Sequence, residues 1–182
     1  MSYLYSTTTL HGAPVFQFTR CDNTNTRAAE LLDRTQPPFF VTSVSQIGGQ
    51  TRRPDGAWDS PAGNIYLTAV LKDFNVKHMN ERCKKLAKYL NRLDDKLKIL
   101  LDGNSLMQDA SSIADRKKLG GYMYSRDNSA NITIFGIGIN VNCTLDEHDD
   151  RLKSSATTMR TITGNTYNLR ELTEHVINLL RI

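Results

Sequence analysis

The chain has 182 residues, of which 39% are hydrophobic, and it carries a formal net charge of +4. Such a chain can bury one core but is too short for two ordinary domains, so we expect residues 1–182 to form a single domain. It contains no apolar run of the roughly 18 residues that span a membrane, and residues 1–10 do not resemble a secretion signal, so we expect a cytoplasmic protein without a membrane partner.

The cysteines and the basic residues predict neither a metal site nor a nucleic-acid partner. Cys21, Cys83 and Cys143 are widely separated and lack C-x-x-C spacing, so we expect three reduced thiols. The basic residues are spread over several segments, and many of them lie in residues 77–93, where apolar residues recur at helical spacing. This pattern is typical of an amphipathic helix with a solvated basic face.

Apolar periodicity and turn residues predict the main elements in chain order. They are a helix at 26–34, strands at 39–44 and 64–71, a helix at 77–93, strands at 98–101 and 131–141, and a helix at 168–182. The polar stretches 104–116 and 144–155 predict long surface loops. Because the strands outnumber the helices and do not strictly alternate with them, we expect an α+β fold with a mixed sheet and helices packed on one side.

The segment CDNTNTR, residues 21–27, places short hydroxyl and amide side chains ahead of the first predicted helix. Such residues commonly cap helices, and Asn25 would then accept backbone N–H bonds. The same side chains could instead bind a ligand. The segment alone leaves both interpretations open.

The next loop, residues 46–64, is rich in glycine, arginine and proline. Glycines let backbone N–H groups approach an anion, and Arg52 and Arg53 could donate paired hydrogen bonds to a phosphate or carboxylate. Trp58, the only tryptophan, would either fill the core beneath the loop or form a flat wall for a planar ligand. The loop matches no P-loop or dinucleotide pattern, so it predicts an anion-binding loop of another kind.

Two further segments place glycines near a positive charge. Gly136 and Gly138 alternate in an apolar strand, where glycine often marks the close approach of a ligand or another backbone. Gly120 and Gly121 could open the matching side of this slot, with Lys118 neutralising an anion that lies in it. The alternative is a β-bulge flanked by ordinary surface lysines.

Taken in order, these segments resemble the catalytic domain of biotin protein ligases across nearly the whole chain. NTN (23–25) is similar to the family's S-T-N, WDSPAGNIYLT (58–68) to W-x-S-P-x-G-N-L-Y-L-S, and KKLGG (117–121) to K-K-L-G-G. GIGINVN (136–142) is similar to the family's glycine strand, and ATTM (156–159) stands where the family has A-T-S-L. The resemblance implies a largely antiparallel mixed sheet, related to that of class II aminoacyl-tRNA synthetases.

The resemblance also implies roles for individual residues. Lys118 and Arg52 are the expected catalytic residues. The expected biotin-binding residues are Asn23, Thr24, Asn25, Gln46, Gln50, Thr51, Arg52, Lys118, Gly120, Gly136 and Gly138. The expected nucleotide-binding residues are Arg52, Arg53, Trp58, Asn104 and Asn140.

The implied reaction joins biotin to a carrier protein in two steps. Biotin is first activated by ATP and Mg²⁺ to biotinyl-5′-AMP, and a lysine of a biotin carboxyl carrier domain then takes the biotinyl group. We expect a monomer or weak homodimer, with neither an N-terminal DNA-binding domain nor a small C-terminal β domain.

Two segments depart from the family pattern. LDGNS (101–105) stands where the family carries K-W-P-N-D, and of those residues only Asn104 is retained. The arginine loop also differs, and alignment from Trp58 backwards would put Arg53 in the place assigned to Arg52. The alternatives are therefore a catalytically impaired biotin-binding protein of the same fold, or a protein similar to lipoate ligases.

Overall fold

The computed structural model describes residues 3–50, 57–58, 60–144 and 154–181. Its strands and helices follow in chain order: β1 (Tyr3–Leu10), β2 (Ala13–Cys21), α1 (Thr24–Leu31), β3 (Phe39–Gln46), β4 (Gly49–Gln50), β5 (Ala57–Trp58), β6 (Ile65–Lys72), α2 (Met79–Leu93), β7 (Ile99–Asp102), β8 (Ser105–Gln108), β9 (Lys117–Asp127), β10 (Ile132–Ile139), α3 (Met159–Thr163) and α4 (Leu169–Leu180). Within these ranges, none of the helices has the length and apolar character needed to cross a membrane.

Eight strands form one sheet in the order β1-β2-β3-β6-β10-β9-β8-β7. β2 and β3 are parallel, and the other neighbouring strands are antiparallel. β4 and β5 pair separately as a short antiparallel ribbon. The predicted α+β class and the mixed, largely antiparallel sheet are therefore confirmed.

The two faces of the sheet are covered differently. The long helices α2 and α4 share one face, where Phe40, Leu67 and Phe135 belong to the larger buried cluster. Phe39 and Val41, which alternate with Phe40 in β3, point to the other face of the sheet. There they pack with Ala28 and Leu31 of α1. The prediction of helices on one side thus describes the two long helices, while the short helix α1 covers the other face.

Several local predictions need correction. The first helix begins at Thr24 and ends at Leu31, and its N-cap is Asn23, whose side chain accepts a hydrogen bond from Thr26 N. Asn25 is therefore not the cap. The predicted loop 104–116 contains β8 and a 3₁₀ turn at Ile113–Asp115.

The segment LDGNS closes a tight hairpin between β7 and β8. Asp102 pairs with Ser105, so only Gly103 and Asn104 form the turn. Gly103 has φ +55°, a left-handed conformation that two-residue hairpin turns favour and that glycine adopts at little cost. The tight turn lets β8 pair with β7, which is why the start of the predicted loop 104–116 is a turn followed by a strand.

Candidate functional site

A strip of the sheet that has no side chains of its own lies on the face that carries α1. In β10, Phe135 and Ile137 point into the core beneath α2 and α4, so Gly136 and Gly138 point to the α1 side. The antiparallel register places Gly138 opposite Gly121 of β9, and directly opposed residues share a face. We call the strip formed by Gly121, Gly136 and Gly138 the glycine slot.

The first turn of α1 covers one end of the glycine slot. A Cβ atom added at Gly136 would overlap the side-chain amide of Asn25, so this amide lies directly on the bare strand. Thr68 of β6, opposite Gly136, is fully buried beneath it. The Thr68 hydroxyl lies 2.7 Å from Asn25 Oδ1 and 2.9 Å from Thr24 Oγ1. Three side chains thus form a connected polar group at this end.

Gln46, the last residue of β3, ties this polar group to the chain that precedes β6. Its Oε1 accepts a hydrogen bond from Thr24 N at 2.8 Å, and its Nε2 donates to Ser60 Oγ at 2.9 Å. Ser60 is buried, and its carbonyl oxygen also accepts from Gln46 N. The predicted binding residues Thr24, Asn25 and Gln46 are therefore brought together.

An ion pair braces the start of α1 from outside. Arg27 donates to both carboxylate oxygens of Asp22, at 2.7 Å and 2.9 Å, and to Glu30 at 2.6 Å. These hydrogen bonds from Arg27 hold the pKa of Asp22 below its usual range. Because the carbonyl oxygen of Asp22 also accepts from Gly48 N, the pair connects α1 to the chain after β3.

Lys118 lies at the other end of the glycine slot. A Cβ atom added at Gly121 would lie 3.2 Å from Lys118 Cε and 3.4 Å from Lys118 Nζ, so the lysine side chain runs across Gly121. The carbonyl oxygen of Asn104, in the LDGNS turn, would lie 3.1 Å from the same Cβ. The glycine therefore makes room for both the ammonium group and the turn.

Gly120 does not face the slot with Gly121. The β8–β9 register shifts beside Met107, and an added Cβ at Gly120 would contact Leu106 of the core at 3.4 Å. Leu119, the residue before it, is also buried in that core. A β-bulge at this point turns both residues toward the core, so of the two glycines that the sequence predicts for the slot, Gly121 faces it and the biotin-binding residue Gly120 does not.

Two predicted nucleotide-binding residues are engaged with the backbone. The side chain of Asn140 donates to the carbonyl oxygen of Thr157 at 3.1 Å, and Thr157 N donates to the carbonyl oxygen of Lys118 at 2.9 Å. Asn140 thus holds the 156–159 segment beside Lys118. The Asn104 amide lies 3.4 Å from the carbonyl oxygen of Tyr122, a long hydrogen bond.

The arginine loop is described only at its two ends. Gly49 pairs with Trp58 and Gln50 with Ala57 through their backbones, which brings the ends of the loop together. Thr51, Arg52 and Arg53 lie outside the described residues, and their predicted roles stay predictions.

Sequence reasoning missed Thr68. Its signal is a threonine in the middle of the otherwise apolar run IYLTAVL, where a buried hydroxyl needs a hydrogen-bond partner. The sequence does not show that the partners are Thr24 and Asn25, more than 40 residues earlier in the chain.

The fold is shared with biotin protein ligases of known structure. The ligase from Aquifex aeolicus in complex with biotin and ATP superimposes with a TM-score of 0.72 at 22% identity, over 91% of this chain and 67% of that one. The ligase from Leishmania major in complex with biotinyl-5-AMP gives a TM-score of 0.68 at 19% identity, over 91% and 71% of the two chains.

A lipoate protein ligase has the same fold. The bipartite enzyme from Thermoplasma acidophilum superimposes with a TM-score of 0.59 at 11% identity, over 91% of this chain and 80% of that one. No family model matches the sequence, and comparison with curated proteins gives no match. The structural likeness therefore shows the biotin protein ligase fold, and function has to be argued from the site.

Proposed function

We propose that this protein is a biotin protein ligase that activates biotin with ATP and transfers it to a lysine of a carboxylase carrier domain. The observation that carries the proposal is the glycine slot, with the Thr24, Asn25 and Gln46 side chains at one end and Lys118 at the other. A ligand with a polar head and an anionic tail would fit between them.

The polar end suits the ureido ring of biotin. That ring has N–H donors and a carbonyl acceptor. The hydroxyl and amide groups at this end of the slot can form hydrogen bonds with both. Gly138, which is partly exposed between the positions that Asn25 and Lys118 cover, suits the flat ring or its chain, because bare backbone permits close approach. The Aquifex aeolicus structure of the same fold contains biotin and ATP, which supports this assignment.

We assign Lys118 to the activation step. The biotin carboxylate would attack the α-phosphorus of ATP, forming a C–O–P bond as the bond to pyrophosphate breaks. Negative charge then develops on the phosphate oxygens, and a fixed ammonium group stabilises it more in the transition state than in the ground state. We assign this role to Lys118 and a parallel role to Arg52.

The nucleotide would lie beyond Lys118, toward Arg53, Trp58, Asn104 and Asn140. In the part of the chain that the structure describes, no three acidic, histidine or cysteine side chains are grouped to hold a metal ion. Mg²⁺ would enter as part of the MgATP substrate, held through the phosphates.

In the second step the carrier lysine, as the neutral amine, would attack the acyl carbon of biotinyl-AMP. An amide bond forms, the bond to the AMP phosphate breaks, and the amine loses its proton. Lys118 would stabilise the negative charge on the acyl oxygen. We propose a monomer or weak homodimer acting on a carrier domain, without nucleic acid.

Lys118→Ala tests the proposal. Without the ammonium group, formation of biotinyl-AMP should fall at least about a hundredfold, the scale of losing one group that stabilises developing charge. The matched control is Lys117→Ala, an exposed lysine one residue earlier in β9. Wild-type rates of adenylate formation in a folded Lys118→Ala protein would refute the assignment.

A binding protein without ligase activity is the second candidate. It is favoured by the LDGNS turn, which lies against Gly121 where relatives carry K-W-P-N-D and which contributes no lysine there. Biotin binding that is indifferent to MgATP, with no adenylate formed, would favour this candidate. Activation of lipoate in preference to biotin would identify a lipoate ligase-like enzyme.

A further inference from the structure

Two polar side chains border the glycine slot at its Lys118 end. Ser105 of β8 lies directly opposite Gly121, and Asp102 of β7 lies directly opposite Ser105. Directly opposed residues share a face of the sheet, so both side chains lie on the face that carries α1. Leu106, the next residue after Ser105, is buried in the core on the opposite face, as strand alternation requires.

Both side chains are available to a ligand. Asp102 is exposed and Ser105 is partly exposed. Among the residues that the structure describes, neither the Asp102 carboxylate nor the Ser105 hydroxyl has a hydrogen-bond or ion-pair partner. Asn104, between them in the turn, is instead engaged with Tyr122. Its carbonyl oxygen accepts from Tyr122 N at 3.0 Å, and its amide lies 3.4 Å from the carbonyl oxygen of Tyr122.

The hairpin that carries Asp102 and Ser105 is supported from two sides. The side chain of Asn91 in α2 accepts from Ile99 N at 2.7 Å and donates to the carbonyl oxygen of Ile99 at 2.9 Å. These two bonds attach β7 to α2, and the ladder between β8 and β9 attaches the other strand to the rest of the sheet. Asp102 and Ser105 therefore project from a backbone that is held in place.

The order of charges indicates which part of a nucleotide lies here. Lys118 crosses Gly121 and would attract a phosphate, whereas the carboxylate of Asp102 would repel one. An ionised carboxylate only accepts hydrogen bonds, so it suits an uncharged group with O–H donors. The hydroxyl groups of a ribose are such donors, and acidic side chains bind them in dinucleotide-binding folds.

The spacing of the strands agrees with this assignment. Neighbouring strands lie about 4.8 Å apart, so Ser105 is about 5 Å and Asp102 about 10 Å from Gly121 across the sheet. In a nucleotide, one methylene group joins the ribose to its 5′-phosphate. A phosphate held by Lys118 would therefore place the sugar over Ser105 and within reach of Asp102.

We propose that Asp102 and Ser105 bind the 2′- and 3′-hydroxyl groups of the ATP ribose. The carboxylate accepts hydrogen bonds from the sugar, and the serine hydroxyl adds a neutral one. The inference rests on the proposed function and adds two nucleotide-binding residues to it. The LDGNS turn, which lacks the lysine of K-W-P-N-D, thereby contributes a ribose contact of its own.

The test compares ATP with 2′-deoxy-ATP and 3′-deoxy-ATP by calorimetry in the absence of biotin. The wild type should bind ATP about tenfold more tightly than at least one deoxy analogue, the scale of one hydrogen bond to a charged group. In Asp102→Ala, ATP should bind no more tightly than that analogue. Ser105→Ala should weaken ATP binding about twofold to tenfold, because a neutral hydrogen bond contributes less.

The direction of the change separates a ribose contact from a general effect of charge. If the carboxylate only repelled the phosphates, its removal would strengthen the binding of all three nucleotides equally, which would overturn the proposal. Asp95→Ala is the matched control. Asp95 is an exposed carboxylate ahead of β7, likewise without a partner among the described residues, and its removal should leave the preference for ATP unchanged.

The remaining outcomes are equally distinct. A wild type that binds the deoxy analogues as tightly as ATP would overturn the inference, and so would an Asp102→Ala protein that keeps the preference for ATP. Slower transfer from isolated biotinyl-AMP in that variant, with the preference intact, would assign the carboxylate to the carrier lysine instead. A wild type that prefers ATP but forms no biotinyl-AMP would refute the proposed function and leave this inference standing.

Discussion

Gly121 and Lys118 show why this chain places flexible residues beside a positive charge. The lysine side chain runs across Gly121, and a methyl group there would lie 3.2 Å from Lys118 Cε. The glycine therefore lets a long cationic side chain lie flat along the sheet and reach the slot. At this position the missing side chain matters more than backbone flexibility.

Gly136→Ala should block the polar end of the slot. The added methyl group would overlap the amide of Asn25, which has to leave Thr68 and turn away. We expect the fold to persist, because the obstacle is a side chain, and biotin affinity to fall about tenfold or more by calorimetry.

Gly48→Ala is the control for this prediction. Its added methyl group would have the Asp22 carbonyl oxygen at 3.8 Å as its nearest neighbour, which is ordinary contact. The control should bind biotin like the wild type. Equal affinities in the Gly136 and Gly48 variants would contradict our description of the slot.

Single residues of the site were predictable where a motif fixes them and unpredictable where the contact is long-range. Thr24, Asn25, Gln46 and Lys118 follow from sequence and are brought to one surface. Thr68 was missed because its partners are distant in the chain. The predicted roles of Thr51, Arg52 and Arg53 rest on the sequence alone, because residues 51–56 lie outside the described residues.

At the scale of elements, the β-bulge in β9 determines which glycine faces the slot. A Cβ atom at Gly120 would lie 2.5 Å from the carbonyl oxygen of Gly138, a backbone atom that cannot move without shifting β10. Strict alternation along β9 would have placed Gly120 and Lys118 on the same face. The bulge instead brings Gly121 beside Lys118.

Gly120→Ala should therefore destabilise the fold more than Gly121→Ala does. Overpacking in a well-packed interior costs about 1 to 3 kcal/mol, and we expect the Gly120 variant to lose that much in urea unfolding. The closest atom to an added Cβ at Gly121 lies at 3.1 Å, so smaller shifts relieve the contact there. A larger loss in the Gly121 variant would refute the bulge.

The contact between α2 and α4 should make stability depend on pH. Tyr89 and His175 stack with ring centroids 3.4 Å apart and planes within 13°. Burial lowers the pKa of His175 from its ordinary value of 6.5. The folded state therefore binds this proton less readily than the unfolded state, so the stability that neutral His175 contributes is present above about pH 6.5 and is lost as the pH falls through its lower folded-state pKa.

His175→Phe keeps an aromatic ring against Tyr89 but removes the titration. Between about pH 7.5 and pH 5, the Tm of the wild type should fall more than that of the variant. Parallel Tm profiles would show that the stacked histidine does not contribute to the acid sensitivity.

Element prediction worked for long periodic segments and failed for short or irregular ones. The two long helices and the strands at Phe39–Gln46, Ile65–Lys72 and Ile132–Ile139 match the pattern of apolar residues. β8 has four residues, and its pairing with β9 decides its structure, so it was assigned to a loop together with the polar residues around it. Tertiary pairing overrides local propensity in such strands.

At the scale of the whole molecule, the two faces of the sheet differ: one packs most of the core, and the other carries the proposed site. The face beneath α2 and α4 carries most of the buried apolar residues, while the opposite face carries the glycine slot beneath the start of α1. This division was not evident from sequence, because the sequence shows glycines and helices but not the side of the sheet that each occupies.

The most direct measurement is the intact mass of a biotin carrier domain after incubation with this protein, biotin and MgATP. We predict a gain of one biotinyl group that disappears when ATP is omitted. No gain on a carrier that a known ligase does modify would contradict ligase activity and favour a biotin-binding protein of this fold.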